Sequence, residues 1–155
     1  MMLAVVRIKG KVNIKKEIER TLQLLKLYNK YNCVILPAKK EVLGMIRKVD
    51  RYVTWGEIEP PILKKLIEKR GRLPGNKHVT LEYIKNKMNM DLDKLIEHIL
   101  DKNLKLNEIP GLKSFFKLKP PTKGFGKGGV RKPFSLGGVF GYRGKDINQL
   151  LERMI

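Results

Sequence analysis

The stretch CVILPAKKEVLGMIRKVDRYVTWGEI, Cys33–Ile58, decides the fold. Cys33-Val-Ile-Leu36 is a short apolar run stopped by Pro37, the pattern of a strand. Over Lys40–Arg51, Val42, Ile46 and Val49 recur at helical spacing with Val53 beyond them, while Arg47, Lys48 and Arg51 form a basic outer side. Val53–Ile58 then turns β-branched and aromatic, which predicts a strand. On the N-terminal side, Leu3–Lys9 is rich in β-branched residues and predicts a further strand. Asn13 stands where a helix cap is needed, and Ile14, Ile18, Leu22 and Leu25 follow on one face. Lys15, Lys16, Glu19 and Lys26 take the other faces, and Asn29–Asn32 reads as a loop. Residues 1–58 therefore predict β-α-β-α-β: an α+β core of three strands in a small sheet, with two helices on one face.

Beyond this core, residues 59–110 predict a helical insertion. Pro60 and Pro61 suit a first helical turn and Gly71 its end, with Ile62, Leu66 and Ile67 between them. Thr80 suits the cap of a helix carrying Leu81, Ile84 and Met88. Asp91 suits the cap of another carrying Leu92, Leu95, Ile96, Ile99 and Leu100. Between the first two helices lies a basic turn, KRGRLPGNKH (Lys69–His78). Residues 111–145 predict a basic, Gly- and Phe-rich extension. Residues 146–155 predict a short terminal helix that packs back on the core, with Asp146 as cap and Ile147, Leu150, Leu151 and Met154 on one face.

The formal charge is +19, from 34 Lys and Arg against 15 Asp and Glu. Self-repulsion on that scale opposes compaction, so a polyanionic partner is the natural inference. The excess is uneven: residues 111–145 carry nine Lys/Arg, nine glycines and all five phenylalanines, and no acid. Such a segment buries too little apolar surface to fold alone. Its phenylalanines set it apart from a solvated linker and suggest groups that stack or wedge against a polyanion. No apolar run reaches the ~18 residues of a membrane span, and the N-terminus lacks signal-peptide order. With one cysteine, Cys33, an intramolecular disulfide is impossible, and an oxidising compartment is not indicated. One Cys and two His argue against a structural zinc site.

Catalytic motifs find little support. GFGKGG (Gly124–Gly129) matches G-x-G-x-x-G literally, but KPPTK precedes it and VRKP follows. Those prolines forbid the strand before and helix after that a dinucleotide site needs. Val130-Arg131 after Gly129 excludes a P-loop. His98 sits in EHILD, a surface helix position, and His78 sits in the basic turn. Cys33, inside an apolar strand, reads as an inert thiol. No cofactor, metal, membrane partner or small-molecule substrate is expected, and no enzymatic activity.

A nucleic-acid reading needs Lys and Arg for phosphates, Gly for close backbone approach and aromatics for unpaired bases. All three coincide at Lys117–Phe134 and Gly141–Lys145. This favours structured RNA over duplex DNA, since Leu81–Asn103, the one helix pair that resembles a helix-turn-helix, holds four basic and five acidic residues. The alternative is a free-standing DNA-binding regulatory module that uses these insertion helices, with an enzyme on the small core a distant third.

Longer strings carry a resemblance. YVTWGEI (Tyr52–Ile58), KRGRLPGNKHVT (Lys69–Thr80), IPGLKSFFKLKPPTKGF (Ile109–Phe125) and GGVFGYRGKDINQLLERM (Gly137–Met154) are similar to the archaeal type of the large-subunit ribosomal protein L-thirty family, whose eukaryotic members carry the number seven. LAVVRIKG (Leu3–Gly10) and LGM (Leu43–Met45) fit its core. The chain departs from the family at Ala38-Lys39-Lys40, where relatives often offer Thr or Ser as a helix cap. The resemblance implies a sheet related to the ferredoxin-like fold, with the helical insertion and extended C-terminal tail. It also implies a structural role on large-subunit rRNA, near the small rRNA of the central protuberance and among neighbouring ribosomal proteins. The RNA-binding residues it implies are Lys9 and Lys11 after the first strand, and Gly44 with Arg47, Lys48 and Arg51 around it. To these it adds Lys69, Arg70, Arg72 and Lys77 in the basic turn. In the tail they are Lys117, Lys119, Lys123, Phe125, Lys127, Arg131, Lys132, Phe134, Tyr142, Arg143 and Lys145.

Overall fold

A computed structural model describes residues 2–102, 111–125 and 128–155. Strand β1 (Met2–Arg7) is the middle of the sheet, antiparallel to β2 (Asn32–Pro37) on one side and to β3 (Val53–Glu57) on the other. Helix α1 (Lys16–Leu24) joins β1 to β2 and α2 (Lys40–Lys48) joins β2 to β3. The expected β-α-β-α-β core is thus present. Leu3, Val5, Val34 and Val53 face α1 and α2, where Leu22, Leu25, Ile46 and Val49 are buried.

The opposite face is covered as well. Met2, Ala4, Val6, Cys33 and Ile35 pack against α3 (Pro60–Arg70), α5 (Leu92–Lys102) and α6 (Ile147–Met154) through Leu63, Leu66, Ile67, Leu95, Leu150 and Leu151. Two-sided cover explains why all six residues of β1 are buried and why its sequence runs apolar without alternation. Between α3 and α5, β4 (Arg72–Leu73) and β5 (Lys77–His78) form a hairpin, followed by α4 (Leu81–Met88).

The basic extension is not separate from the sheet. Strand β6 (Phe116–Lys117) pairs antiparallel with β2, and β7 (Gly141–Tyr142) pairs parallel with β3, giving the order β6-β2-β1-β3-β7. The three expected strands are the centre of a five-stranded sheet whose edges the tail supplies. Phe116 is fully buried in the core, Phe115 meets Tyr28 edge-on, and Phe125 stacks on Tyr31 with ring centroids 6.1 Å apart. These phenylalanines pack within the chain on both faces of the sheet: Phe116 and Phe125 against the α3, α5 and α6 side, Phe115 against the α1 and α2 side.

Several boundaries differ from the expected ones. Asn13 is left-handed (φ 55°) and caps nothing; α1 begins at Lys16, and Lys15 makes no side-chain cap. Helix α1 ends when Lys26 turns left-handed (φ 63°) and the Leu27 N–H donates back to the Leu22 carbonyl at 2.8 Å, a Schellman-type closure. Helix α2 stops at Lys48, and a 3-10 turn, Asp50–Tyr52, redirects the chain into β3. Lys39 precedes α2 without a side-chain cap, as the Ala38-Lys39-Lys40 departure implies. Thr80 does cap α4, accepting from the Tyr83 N–H at 3.1 Å. Asp146 lies in a 3-10 turn and makes no side-chain cap on α6; instead the Asn148 side chain takes the Glu59 N–H at the start of α3 and donates to the Glu57 and Lys145 carbonyls.

Candidate nucleic-acid interface

One end of the sheet gathers cations from three distant parts of the chain. The loop after β1 brings Lys9, the end of α2 brings Arg47 and Lys48, and the 3-10 turn brings Arg51. The tail brings the segment 130–140. Arg51 and Tyr52 form a ridge with a groove on each side. Lys15, Arg47, Lys48, Pro133 and Phe140 line one groove, together with the single carboxylate Asp50. Lys9, Val12, Lys30 and Val130 line the other, with no acidic residue among its described lining.

Lys9 is the link between the tail and the core. Its ammonium lies 5.7 Å from the Tyr52 ring centroid and 5.3 Å from that of Phe140, a cation–π arrangement with both. Partial burial lowers its pKa below the usual lysine value, and Arg51 and then Arg131 add repulsion. A charge held in this way gains from any anion that enters. Beneath it, Arg7 is fully buried: Nε donates to the Lys9 carbonyl at 2.8 Å, and Nη1 donates to the Leu27 and Tyr28 carbonyls at 2.8 and 3.0 Å. One guanidinium therefore fixes the loops on both sides of β1.

The tail is held by a second buried arginine. Arg143 is 8% exposed. Its Nε donates to Thr54 Oγ1 at 2.7 Å, its Nη2 donates to the Val139 carbonyl at 2.8 Å, and the guanidinium lies 4.7 Å from the centre of the Phe134 ring. Thr54 Oγ1 in turn donates to the Gly141 carbonyl at 3.1 Å. Burial first, then Arg153, lower the Arg143 pKa to about 10. Glycine is required nearby: a Cβ on Gly138 would collide with the Lys132 carbonyl.

Of the residues implied by the tail motif, Arg143 is buried with its guanidinium directed at acceptors within the chain, and Phe134 is half-buried against it; together they fasten the tail to β3. Phe125 is half-buried against Tyr31. Tyr142 is half-exposed, but its hydroxyl donates to Glu57, which raises its pKa, and its ring leans on Trp55 with centroids 4.7 Å apart. Lys127 lies outside the described residues.

The other implied residues fall in three places. Lys9, Arg47, Lys48, Arg51 and Arg131 belong to the end of the sheet, and exposed Lys11 lies on the adjoining loop. Gly44 lies on the outer side of α2, where a Cβ would meet nothing within 4 Å. Glycine inside a helix costs about 0.5–1 kcal/mol relative to Ala, and no packing within the chain calls for it. Lys69, Arg70, Arg72 and Lys77 surround the β4–β5 hairpin as a second basic group, in which Arg70 Nε is buried without a partner. Lys117, Lys119, Lys123, Lys132 and Lys145 are exposed along the tail. Sequence reasoning missed Lys15, Lys30, Tyr52 and Phe140; the recurrence of aromatics beside Lys and Arg in DRY and VFGYR was the available signal.

Among the described residues no group of His, Cys, Asp and Glu is arranged to hold a metal, and no helix is long and apolar enough to cross a membrane.

Comparison with known proteins identifies the family. A family model described as "Ribosomal protein L30p/L7e" matches residues 3–53. "Large ribosomal subunit protein uL30" of Nanoarchaeum equitans is 43% identical over 152 residues, covering 98% of this chain and 97% of its own. The proteins of the same name from Methanopyrus kandleri and Methanococcus maripaludis are each 43% identical, over 148 and 155 residues, covering 95% and 100% of this chain and 99% and 100% of their own. At this identity, over essentially the full length of relatives that share one name and with the expected α+β core present, the chain belongs to the L30p/L7e family of ribosomal proteins.

Proposed function

We propose that the protein is a structural, non-catalytic constituent of the large ribosomal subunit that binds and stabilises rRNA through the basic end of its sheet and its extended tail. The observation that carries this reading is the convergence of Lys9, Arg47, Lys48, Arg51 and Arg131 around two grooves in which Asp50 is the one carboxylate among the described lining. Unopposed cations of this kind neutralise phosphates and release counterions, which supplies affinity without reading sequence. The names of the relatives support the large subunit as the site of assembly, with the cytoplasmic ribosome as the location. On this reading, residues 111–145 act as the rRNA-binding extension and the β4–β5 hairpin makes a second contact. Neighbouring ribosomal proteins and the small rRNA of the central protuberance lie nearby.

Co-sedimentation tests it. The endogenous protein should track large subunits through a high-salt wash, and a variant with Arg47, Lys48 and Arg51 replaced by Ala should be shed first. Recovery in the soluble fraction would favour a free-standing DNA-binding module instead.

A further inference from the structure

The groove on the Lys9 side of the Arg51–Tyr52 ridge differs from an ordinary cationic surface. Three cations, Lys9, Lys30 and Arg51, share it with three apolar groups, Val12, Val130 and the face of Tyr52. Val12 is 86% exposed. It stands between Lys11 and Asn13, whose left-handed conformation (φ 55°) shapes the turn that presents it. An exposed valine in a loop of a chain this basic has no packing role, and an apolar wall contributes nothing to holding a phosphate. A duplex would offer this groove only its backbone oxygens and leave the wall unused. An unpaired nucleotide offers both an anion and a flat apolar face.

The groove is also rigidly built. The Ile8 and Lys9 N–H groups both donate to the Tyr52 carbonyl, at 2.9 and 3.4 Å, which ties the Lys9 loop to the ridge. Arg7, buried beneath, fixes the Lys9 carbonyl on one side and the Leu27 and Tyr28 carbonyls on the other. The Lys9 loop and the stretch leading to Lys30 are therefore held before any ligand arrives, which spares part of the ordering cost of binding. Lys9 rests over the Tyr52 and Phe140 rings; moving to a phosphate would free the Tyr52 face for a base.

We infer that this groove takes one unpaired nucleotide of the bound RNA, its phosphate among Lys9, Lys30 and Arg51 and its base against Tyr52, Val12 and Val130. This rests on the rRNA-binding reading and refines it, assigning to one groove a preference for an extruded or bulged nucleotide over paired RNA.

The test compares the full-length protein on a short RNA hairpin carrying one bulged adenosine and on the same hairpin fully paired. The bulged hairpin should bind about tenfold more tightly, the scale of one base stacked on an aromatic ring. Tyr52→Leu should abolish that preference while leaving a salt-dependent affinity for both hairpins. A second measurement does not depend on that variant folding: the parent is titrated with adenosine monophosphate and with inorganic phosphate while the Val12 and Val130 methyl resonances are followed. The nucleotide should shift both methyls saturably and phosphate should shift neither. Equal affinity for the two hairpins, or equal methyl shifts from the two small molecules, would overturn the nucleotide site and leave rRNA binding standing. Failure to bind either hairpin would overturn both.

Discussion

Replacing Arg143 by Met separates the geometry of the proposed RNA surface from its charge, because Arg143 is inside. The substitution removes the bonds to Thr54 Oγ1 and the Val139 carbonyl and the cation over Phe134. Thr54 Oγ1 keeps its bond to Gly141, so the hydroxyl is not stranded. The Val139 carbonyl loses the guanidinium. Hydrogen bonds from charged donors contribute about 1.5–3 kcal/mol each, and a stranded buried acceptor costs about 1–3 kcal/mol. Relief of the burial that lowers the Arg143 pKa works in the opposite direction. A net loss of about 2–3 kcal/mol follows, which lowers the melting temperature of a chain this size by about 5–10 °C. The segment carrying Arg131 and Lys132 is then no longer pinned beside Lys9. If both leave the phosphates, the slope of log affinity against log salt falls by about 1.8, at about 0.9 per contact on a duplex. The assays are a thermal melt and RNA affinity over a salt series. An early-melting variant with the parent's salt slope, or an unchanged melting temperature, would refute the reasoning.

Phe116→Ala, which empties the core under β2, should cost about 3–5 kcal/mol, measured by denaturant titration. Replacing exposed Lys119, Lys123, Arg131 and Lys132 by Ala should change stability by no more than about 0.5 kcal/mol per site yet weaken binding to many RNA sequences alike, which filter binding against unrelated RNAs checks. Lys9 has its pKa lowered on folding, so its protonated form opposes folding; that penalty is present below the folded pKa and fades as pH rises through it towards the ordinary lysine value of about 10.4. Lys9→Met removes that penalty together with the cation over the Tyr52 and Phe140 rings, so a thermal melt at pH ~7 should change little while RNA binds less well. Cys33 is fully buried, and burial pushes its thiol pKa up; a thiol reagent should leave it unmodified until denaturant unfolds the chain, and modification of the native protein would contradict the packing.

The core was legible because strand and helix periodicities alternate cleanly through residues 3–58. What periodicity cannot show is a two-residue strand: Phe116–Lys117 and Gly141–Tyr142 have no repeat, and their glycine- and lysine-rich flanks look like solvated chain. Cap rules succeeded at Thr80, where local geometry decides. They failed at Asn13, where the loop after β1 is set by Arg7 and the Tyr52 carbonyl, distant in sequence. The cations of the proposed interface could be listed one by one from motifs, but their grouping depends on the tail's return to the sheet. The burial of Arg143 was hidden for the same reason: in GYRGK it reads as one more tail charge, and only the alignment of Thr54 with Gly141 reveals its acceptors. Tyr52 and Phe140 lie 88 positions apart in the chain and meet through a single lysine.

Both sheet edges are closed by residues made late in synthesis: the Thr54–Gly141 pair spans 87 positions. Until the tail leaves the ribosome that makes it, β2 and β3 present open edges, and the face that α6 covers stays partly bare. Such long-range closure is slow to find and leaves sticky surface exposed in the interval. The nascent chain is therefore most vulnerable to aggregation in the interval before residues 116–142 emerge, while its N-terminal strands are already available. An RNA or chaperone that engages the basic end of the sheet early would shield the incomplete fold, making assembly and folding a single coupled process.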